Sequence, residues 1–303
     1  MIHGLVLVNK SGGMTSHDVV DEIRRIFKMK KVGHFGTLDP LAEGLILIGL
    51  GNATKFFDYY IKKKKIYSGK ITFGYSTSTY DAEGEPSSEQ KDINLSSIDI
   101  KALLAHFTGS FMQMPPLYSA KKFKGKPMYK YARANKEDQV VIKPGPVDIY
   151  KLTGKVLDPV TLWFRAETSS GTYIRSLAHD MGQRTGSGAF LKELIREGVG
   201  EFSLTNAFTL ESIKQVVGEG DITRIVTPIE ALLPEFPKIV VTPGGRDAIL
   251  NGNPLMPRDV YKVYASENTE KFRIFDDDGH LLALAVKDPR LMQFKPFVVF
   301  PID

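Results

Sequence analysis

An aspartate directly before a proline, in a loop rich in glycine, is a carboxylate on a restrained backbone. The run Gly33-His34-Phe35-Gly36-Thr37-Leu38-Asp39-Pro40 has that form. Pro40 disfavours helical geometry at Asp39, so the carboxylate sits on an extended or turning chain. It is then a positioned nucleophile or base, or else the pair is an ordinary Asp-Pro turn. Arg175 stands near the start of a stretch that reads as a helix following a strand. A guanidinium there pairs with a carboxylate or a phosphate, or is simply solvated. Tyr67 falls on the same strand face as Ile71 and Phe73, which reads first as a core position. His34 has little to pack against locally and is either an exposed loop histidine or a wedge against a base.

Other chemistries find no support. The chain has no cysteine, which excludes disulfides, thiolate nucleophiles and zinc–thiolate sites. Its six histidines are scattered without metal-ligand spacing. Neither a P-loop nor HExxH is present. His179-Asp180 reads as part of a helix end.

The formal net charge is +5 and the sequence pI about 9.0, mild evidence for a polyanionic partner. The distribution says more. Lys62, Lys63, Lys64 and Lys65 are consecutive, and the segment 118–133 holds Lys121, Lys122, Lys124, Lys126, Lys130 and Arg133 without an acid. Tyr118, Phe123, Tyr129 and Tyr131 are interleaved with these cations. Cations for phosphates and rings for bases suit looped or single-stranded RNA, while the plain alternative is a solvated surface loop.

The elements that must carry these groups follow from periodicity. Residues 3–8 read as a buried strand. A helix over 16–28 follows, with Ser16 as its cap and Val19, Val20, Ile23, Ile26 and Phe27 as its apolar face. The glycine-rich run is a loop, followed by the apolar Leu45-Ile46-Leu47-Ile48. Tyr67, Ile71, Phe73 and Tyr75 alternate along a strand in which Gly69 leaves a gap. Residues 97–108 read as an amphipathic helix. Val160, Leu162, Phe164 and Ala166 mark a half-buried strand, and Ile174, Leu177, Ala178 and Met181 one face of a helix. A further helix is expected over 189–196. Prolines at 228, 234, 237 and 243 suggest a domain boundary, beyond which 272–275 and 281–286 flank a turn and read as a hairpin of a small all-β unit.

Strands and helices without strict alternation point to an α+β fold with a mixed, mostly antiparallel sheet flanked by helices. The expected division is a large unit over 1–236, with an insertion around 118–150, and a small one over 237–303. No apolar run approaches the roughly 20 residues of a membrane helix, and the N-terminus is a poor signal peptide. A soluble cytoplasmic protein is expected.

The segments in combination go further. The run 33–44, ending Leu41-Ala42-Glu43-Gly44, closely resembles the catalytic-aspartate motif of the TruB family of pseudouridine synthases. The resemblance continues through Gly51-Asn52-Ala53-Thr54-Lys55, Lys65-Ile66-Tyr67 and Pro116-Leu117-Tyr118-Ser119-Ala120-Lys121-Lys122. It extends to Tyr129-Lys130-Tyr131-Ala132-Arg133 and Gly171-Thr172-Tyr173-Ile174-Arg175-Ser176-Leu177, so that it covers residues 4–200 in order. Phe35 departs from the pattern, which has a small residue or threonine there, and no reacting group is lost. The stretch 237–303 looks like the small RNA-binding domain of the PUA type.

The resemblance implies isomerisation of the T-loop uridine of transfer RNA (position 55) to pseudouridine, with no cofactor and no metal. In that picture the base is flipped out and Asp39 attacks either uracil C6 or ribose C1′. Arg175 keeps Asp39 charged and aimed, while Tyr67 stacks on the flipped base and assists proton removal from C5. His34 helps fill the vacated space, Leu194 lines the pocket, and Lys10 supports the site. Tyr173, Tyr118, Lys121 and Lys122 join the substrate-binding set, and the insertion clamps the T-arm. The partner is the tRNA T-arm, with no membrane, no required protein partner and a monomeric chain. The alternatives are an RNA-guided relative acting in a ribonucleoprotein, and a non-catalytic RNA-binding or RNA-folding protein. Compactness and the early start of the motifs favour the stand-alone bacterial type. The presence of Asp39, Tyr67 and Arg175 favours an enzyme.

Overall fold

The computed structural model describes the chain except residues 120, 133, 135–139, 265–268, 289, 292 and 302–303, and of 122 and 129 it describes the backbone alone. Arg133 and the side chains of Lys122 and Tyr129 thus lie outside the described residues. The chain begins with β1 (Gly4–Lys10), α1 (Ser16–Phe27), β2 (Val32–His34), β3 (Glu43–Leu50), α2 (Phe57–Tyr60) and β4 (Lys65–Phe73). Next come α3 (Ile100–His106), β5 (Gly109–Gln113), the short pair β6 (Lys122–Phe123) and β7 (Lys126–Pro127), and α4 (Met128–Ala132). They are followed by β8 (Gly145–Asp158), β9 (Thr161–Thr168), α5 (Ile174–Thr185), β10 (Ala189–Val199) and β11 (Phe202–Ser203). The rest is α6 (Leu210–Glu219), β12 (Val226–Pro228), β13 (Lys238–Val241), α7 (Pro243–Leu250), β14 (Val260–Tyr264), β15 (Lys271–Phe275), β16 (Leu281–Asp288) and β17 (Gln293–Val299).

The fold is α+β. Ten strands form one sheet in the order β12-β1-β3-β10-β4-β9-β8-β5, with β2 beside β3 and β11 beside β10. All its ladders are antiparallel except β3 with β10. The apolar run in β3 explains how the layers stack. Leu45 and Leu47 face one cluster with Phe35, Phe56 and Tyr60. Ile46 and Ile48 face another, under α1 and α6 with Val19, Ile23, Phe27, Ile213 and Val216. A strand covered on both faces reads as a continuous run because successive residues, which point to opposite faces, are all inside. A third cluster packs Tyr67, Ile71, Phe73, Leu162, Phe164 and Ala166 against Leu177, Ala178 and Met181 of α5.

Four details differ from the sequence reading. Residues 189–196 are not a helix but the start of β10, seated between β3 and β4. The ladder skips Lys192, pairing Leu191 with Ile71 and Glu193 with Lys70. That extra residue separates the buried Leu191 and Leu194 by three positions, a spacing that mimics a helix. Thr15 rather than Ser16 caps α1, in a capping box with Asp18. Helix α3 is shorter than 97–108 and starts after Asp99, whose carboxylate accepts from the Ala102 N–H at 2.9 Å. Gly69 leaves no gap, since a Cβ there would lie 2.1 Å from the Glu193 carbonyl oxygen.

The C-terminal strands form a separate sheet, β14-β13-β15-β16-β17. The hairpin of β15 and β16 is present, and helix α7, begun by the Thr242 cap and Pro243, is added to the strands. The proline-containing stretch before it is firmly held. Arg273 donates to the carbonyls of Glu230, Leu232 and Phe236, and the Leu233 N–H donates to the Tyr60 hydroxyl at 3.2 Å. Among the described residues, no helix is long and apolar enough to cross a membrane.

Candidate active site

The loop carrying Asp39 leaves β2 and re-enters the sheet at β3, and its carbonyls are gripped from three sides. The Ser16 hydroxyl, released from capping duty, donates to the Leu38 carbonyl at 2.9 Å and accepts from the Leu38 N–H at 2.8 Å. Lys10 at the end of β1 donates to the carbonyls of Ser11, Met14 and Pro40 at 2.9, 2.7 and 3.2 Å. Arg196 of β10 donates to the carbonyls of Gly36, Thr37 and Leu45. Asp39 lies between the carbonyls held by Ser16 and Lys10, with its side chain 37% exposed. Burial pushes the Lys10 ammonium down to about 8, against the opposing pull of Glu43 and Asp39.

Arg175 is the second residue of α5. The Gln113 amide brackets the residue before the helix, accepting from the Tyr173 N–H at 2.8 Å and donating to the Tyr173 carbonyl at 3.0 Å. Arg175 Nε donates to Asp39 Oδ2 at 2.8 Å, Nη1 to the Thr79 carbonyl at 3.1 Å and Nη2 to the Tyr118 carbonyl at 2.9 Å. A second carboxylate, Asp81, lies 3.5 Å from the same Nε. A cation in the first turn of a helix opposes the helix dipole, and two carboxylates offset that cost. Asp81 also accepts from the Thr79 hydroxyl and from the Glu83 N–H. Its pKa is raised, chiefly by burial, with Thr79 and Arg175 opposing.

A cavity of about 260 Å³ opens above this pair. Asp39, Tyr67, Lys121, Tyr173, Arg175 and Leu194 line it, together with Lys65, Ser119 and Arg196. Tyr67 stands on β4, paired across to Ala166 and Arg196. Burial raises the Tyr173 phenol, with the Ser119 hydroxyl opposing. Lys65 is 5% exposed, and its ammonium donates to the carbonyls of Ile61 and Lys63. Lys10 and His34 do not line the cavity. His34 ends β2, edge-on to His17 with centroids 5.8 Å apart, and its Nδ1 is buried without a partner. Burial pushes its pKa down to about 4, so it is neutral at pH 7. Tyr118 contributes its carbonyl to Arg175.

Asp81 and Arg196 were not legible as site residues. Asp81 lies in a polar stretch with several acids, and Arg196 falls at the end of the helix expected over 189–196. Long-range contacts bring each to the site, Asp81 through a bridge to Leu191 and Arg196 through the pairing of β10 with β3. The arrangement can present one carboxylate, held by a guanidinium, to a planar ligand walled by Tyr67 and Leu194.

Comparison with known proteins agrees with the fold. Residues 24–174 match the TruB family pseudouridylate synthase N-terminal domain, and 175–234 the tRNA pseudouridylate synthase B C-terminal domain. The chain is 43% identical over 249 residues to tRNA pseudouridine synthase B of Solibacter usitatus, covering 82% of this chain and 84% of that one. It is 38% identical over 285 residues to the protein of that name in Thermotoga petrophila, covering 94% and 90%. Among solved structures it superposes on a chain of an H/ACA RNP bound to a substrate RNA containing 2′-deoxyuridine, with TM-score 0.73, 21% identity and coverage of 99% and 85%. A chain of an archaeal box H/ACA sRNP gives TM-score 0.72 at 23% identity, with coverage of 98% and 86%. Fold and sequence together place the protein among the pseudouridylate synthases, which are isomerases. Within that class the chain belongs to the TruB family.

Proposed function

We propose that this enzyme isomerises the T-loop uridine of transfer RNA to pseudouridine, with Asp39 as its nucleophile. The observation that carries the reading is the Asp39 carboxylate, fixed at 2.8 Å by Arg175 on the wall of a cavity shared with Tyr67 and Leu194. The relatives' names supply the tRNA substrate. A stacked base must leave its loop to reach such a cavity. The bond from uracil N1 to C1′ breaks and one from C5 to C1′ forms; C5 loses its proton and N1 gains one. The exchange is internally balanced, so the protein has only to hold, attack and move a proton. Attack at C6 and attack at C1′ both require a charged carboxylate aimed at one face of the flipped nucleotide. Tyr67 stacks on the base and its phenol takes part in proton removal from C5. The neutral His34 ring fills the space left in the T-loop. Lys10 holds the loop from below, while Tyr173, Tyr118, Lys121 and Lys122 belong to the RNA-binding set. We further read the chain as a catalytic unit over 1–236, with an RNA-clamping insertion around 118–150, and a PUA-like unit over 237–303, acting as a monomer in the cytoplasm.

The test is incubation of the purified protein with unmodified tRNA transcript, followed by mapping of pseudouridine. Asp39→Ala should abolish turnover while tRNA binding is retained, because affinity is spread over a broad basic and aromatic surface. Turnover by that variant would remove Asp39 from the nucleophile role.

A further inference from the structure

We infer that Arg196 is a positioning residue that ties the entry of the nucleophile loop to its exit and thereby fixes where the Asp39 carboxylate lies. The inference rests on the reading of Asp39 as nucleophile. Arg196 Nη2 and Nη1 donate to the carbonyls of Gly36 and Thr37, each at 3.2 Å, where the chain leaves β2. Nε donates to the Leu45 carbonyl at 2.7 Å, where the chain has entered β3. The backbone of Arg196 completes the clasp. It pairs with Gly44 in the parallel ladder of β10 with β3. Gly44 has φ +97°, and a Cβ there would lie 2.6 Å from the Arg196 carbonyl oxygen. Side chain and main chain of one residue thus hold both ends of the loop, independently of Ser16 and Lys10 at its tip.

The charge of Arg196 needs an explanation that packing does not give. The residue is 1% exposed, and no described carboxylate lies within ion-pair distance of it. Its charge acts on the bases Lys10, His34 and Lys65, each lowered chiefly by burial and in part by its presence. A buried cation without a counter-ion is costly. An apolar residue would fill the volume without that cost, yet could not turn three carbonyls inward. The planar guanidinium offers five N–H donors in a fixed fork, and here that fork spans Gly36, Thr37 and Leu45. A lysine ammonium keeps the charge but not the span.

The experiment compares the full-length enzyme with Arg196→Met and Arg196→Lys. Single-turnover pseudouridine formation, affinity for a T-arm RNA and hydrogen exchange over residues 36–45 are measured at a temperature where all are folded. Displacement of a reacting group by about 1 Å costs on the order of 100-fold. Arg196→Met should lose about that much in single-turnover rate, with RNA affinity nearly unchanged and faster exchange confined to the loop. Arg196→Lys should recover only a small part of the rate. A parent-like rate in either folded variant, or a loss of affinity that matches the loss of rate, would overturn the proposal. If Arg196→Met does not fold, Arg196→Lys decides on the same measurements. If the parent enzyme forms no pseudouridine, the Asp39 reading has failed, and loop exchange still decides whether Arg196 closes the loop.

Discussion

The same cations do different work in two regions of this enzyme. Around the Asp39 loop, Lys10, Lys65, Arg175 and Arg196 are at most 5% exposed and spend their donors on backbone carbonyls or on Asp39. In the segment 121–126, Lys121, Lys124 and Lys126 are exposed. Buried donors set geometry and are shielded from dissolved ions, whereas exposed ones are open to solvent and are screened within about 10 Å at 0.1 M salt. Composition alone cannot separate the two groups, since both are lysine and arginine.

The sharpest test of the inner group is Arg175. Arg175→Met should lower turnover by about 1,000-fold, the upper range for losing one fixed donor in an active site, since Asp39 loses its aim and the buried Asp81 its cation. Arg175→Lys keeps the charge but loses the fork and should recover only part of the rate. Folding of each variant is checked by thermal unfolding. A folded Arg175→Met working at the parent rate would show that the 2.8 Å contact to Asp39 is incidental. Next in size is Tyr67→Phe, which keeps the ring and loses the phenol. It should bind tRNA and turn over about 100-fold more slowly, the lower range for proton-transfer catalysis. Full activity would leave Tyr67 as a stacking surface.

The outer group is tested by salt. Changing Lys121, Lys124 and Lys126 together to glutamine should flatten the dependence of log affinity on log salt by roughly 2, if each meets a phosphate. An unchanged slope would place the segment off the RNA. The smallest effect expected is on stability and comes from His34. Its pKa falls from 6.5 to about 4 on burial. Between those values the unfolded chain binds a proton that the folded chain refuses, so stability drops as pH falls through that window. His34→Phe should reduce this loss by about 2 kcal/mol, discounted for the partial exposure of the ring. Equal loss of unfolding temperature between pH 7 and pH 5 in parent and variant would refute the assignment.

The segments that could be read from the sequence are those whose local chemistry matches their environment. The Asp39 loop announces itself through its glycines and proline, α5 through its apolar face, and the hairpin of β15 and β16 through its turn. What could not be read is set by distant partners. The stretch Leu191-Lys192-Glu193-Leu194-Ile195-Arg196 has helical composition and, because of its bulge, helical spacing. Its place between β3 and β4 decides for strand, as long-range pairing overrides local propensity. Ser16 is the right residue in the right region for a cap. Thr15 does that work, which frees Ser16 to hold Leu38.

The position of β10 also bears on how the enzyme comes to be. It is the strand that joins β3 to β4 in the sheet, and the contacts from Arg196 to Leu45 and from Arg175 to Asp39 span 151 and 136 residues. Contacts that close such long loops are slow to form, because chain entropy opposes them until the strands have met. A ribosome that has released only the first half of the chain therefore presents the aspartate motif without its geometry. In refolding, the helical circular dichroism signal should return before pseudouridine synthesis does. Until Arg175 has emerged, the growing chain therefore carries Asp39 without the guanidinium that holds it.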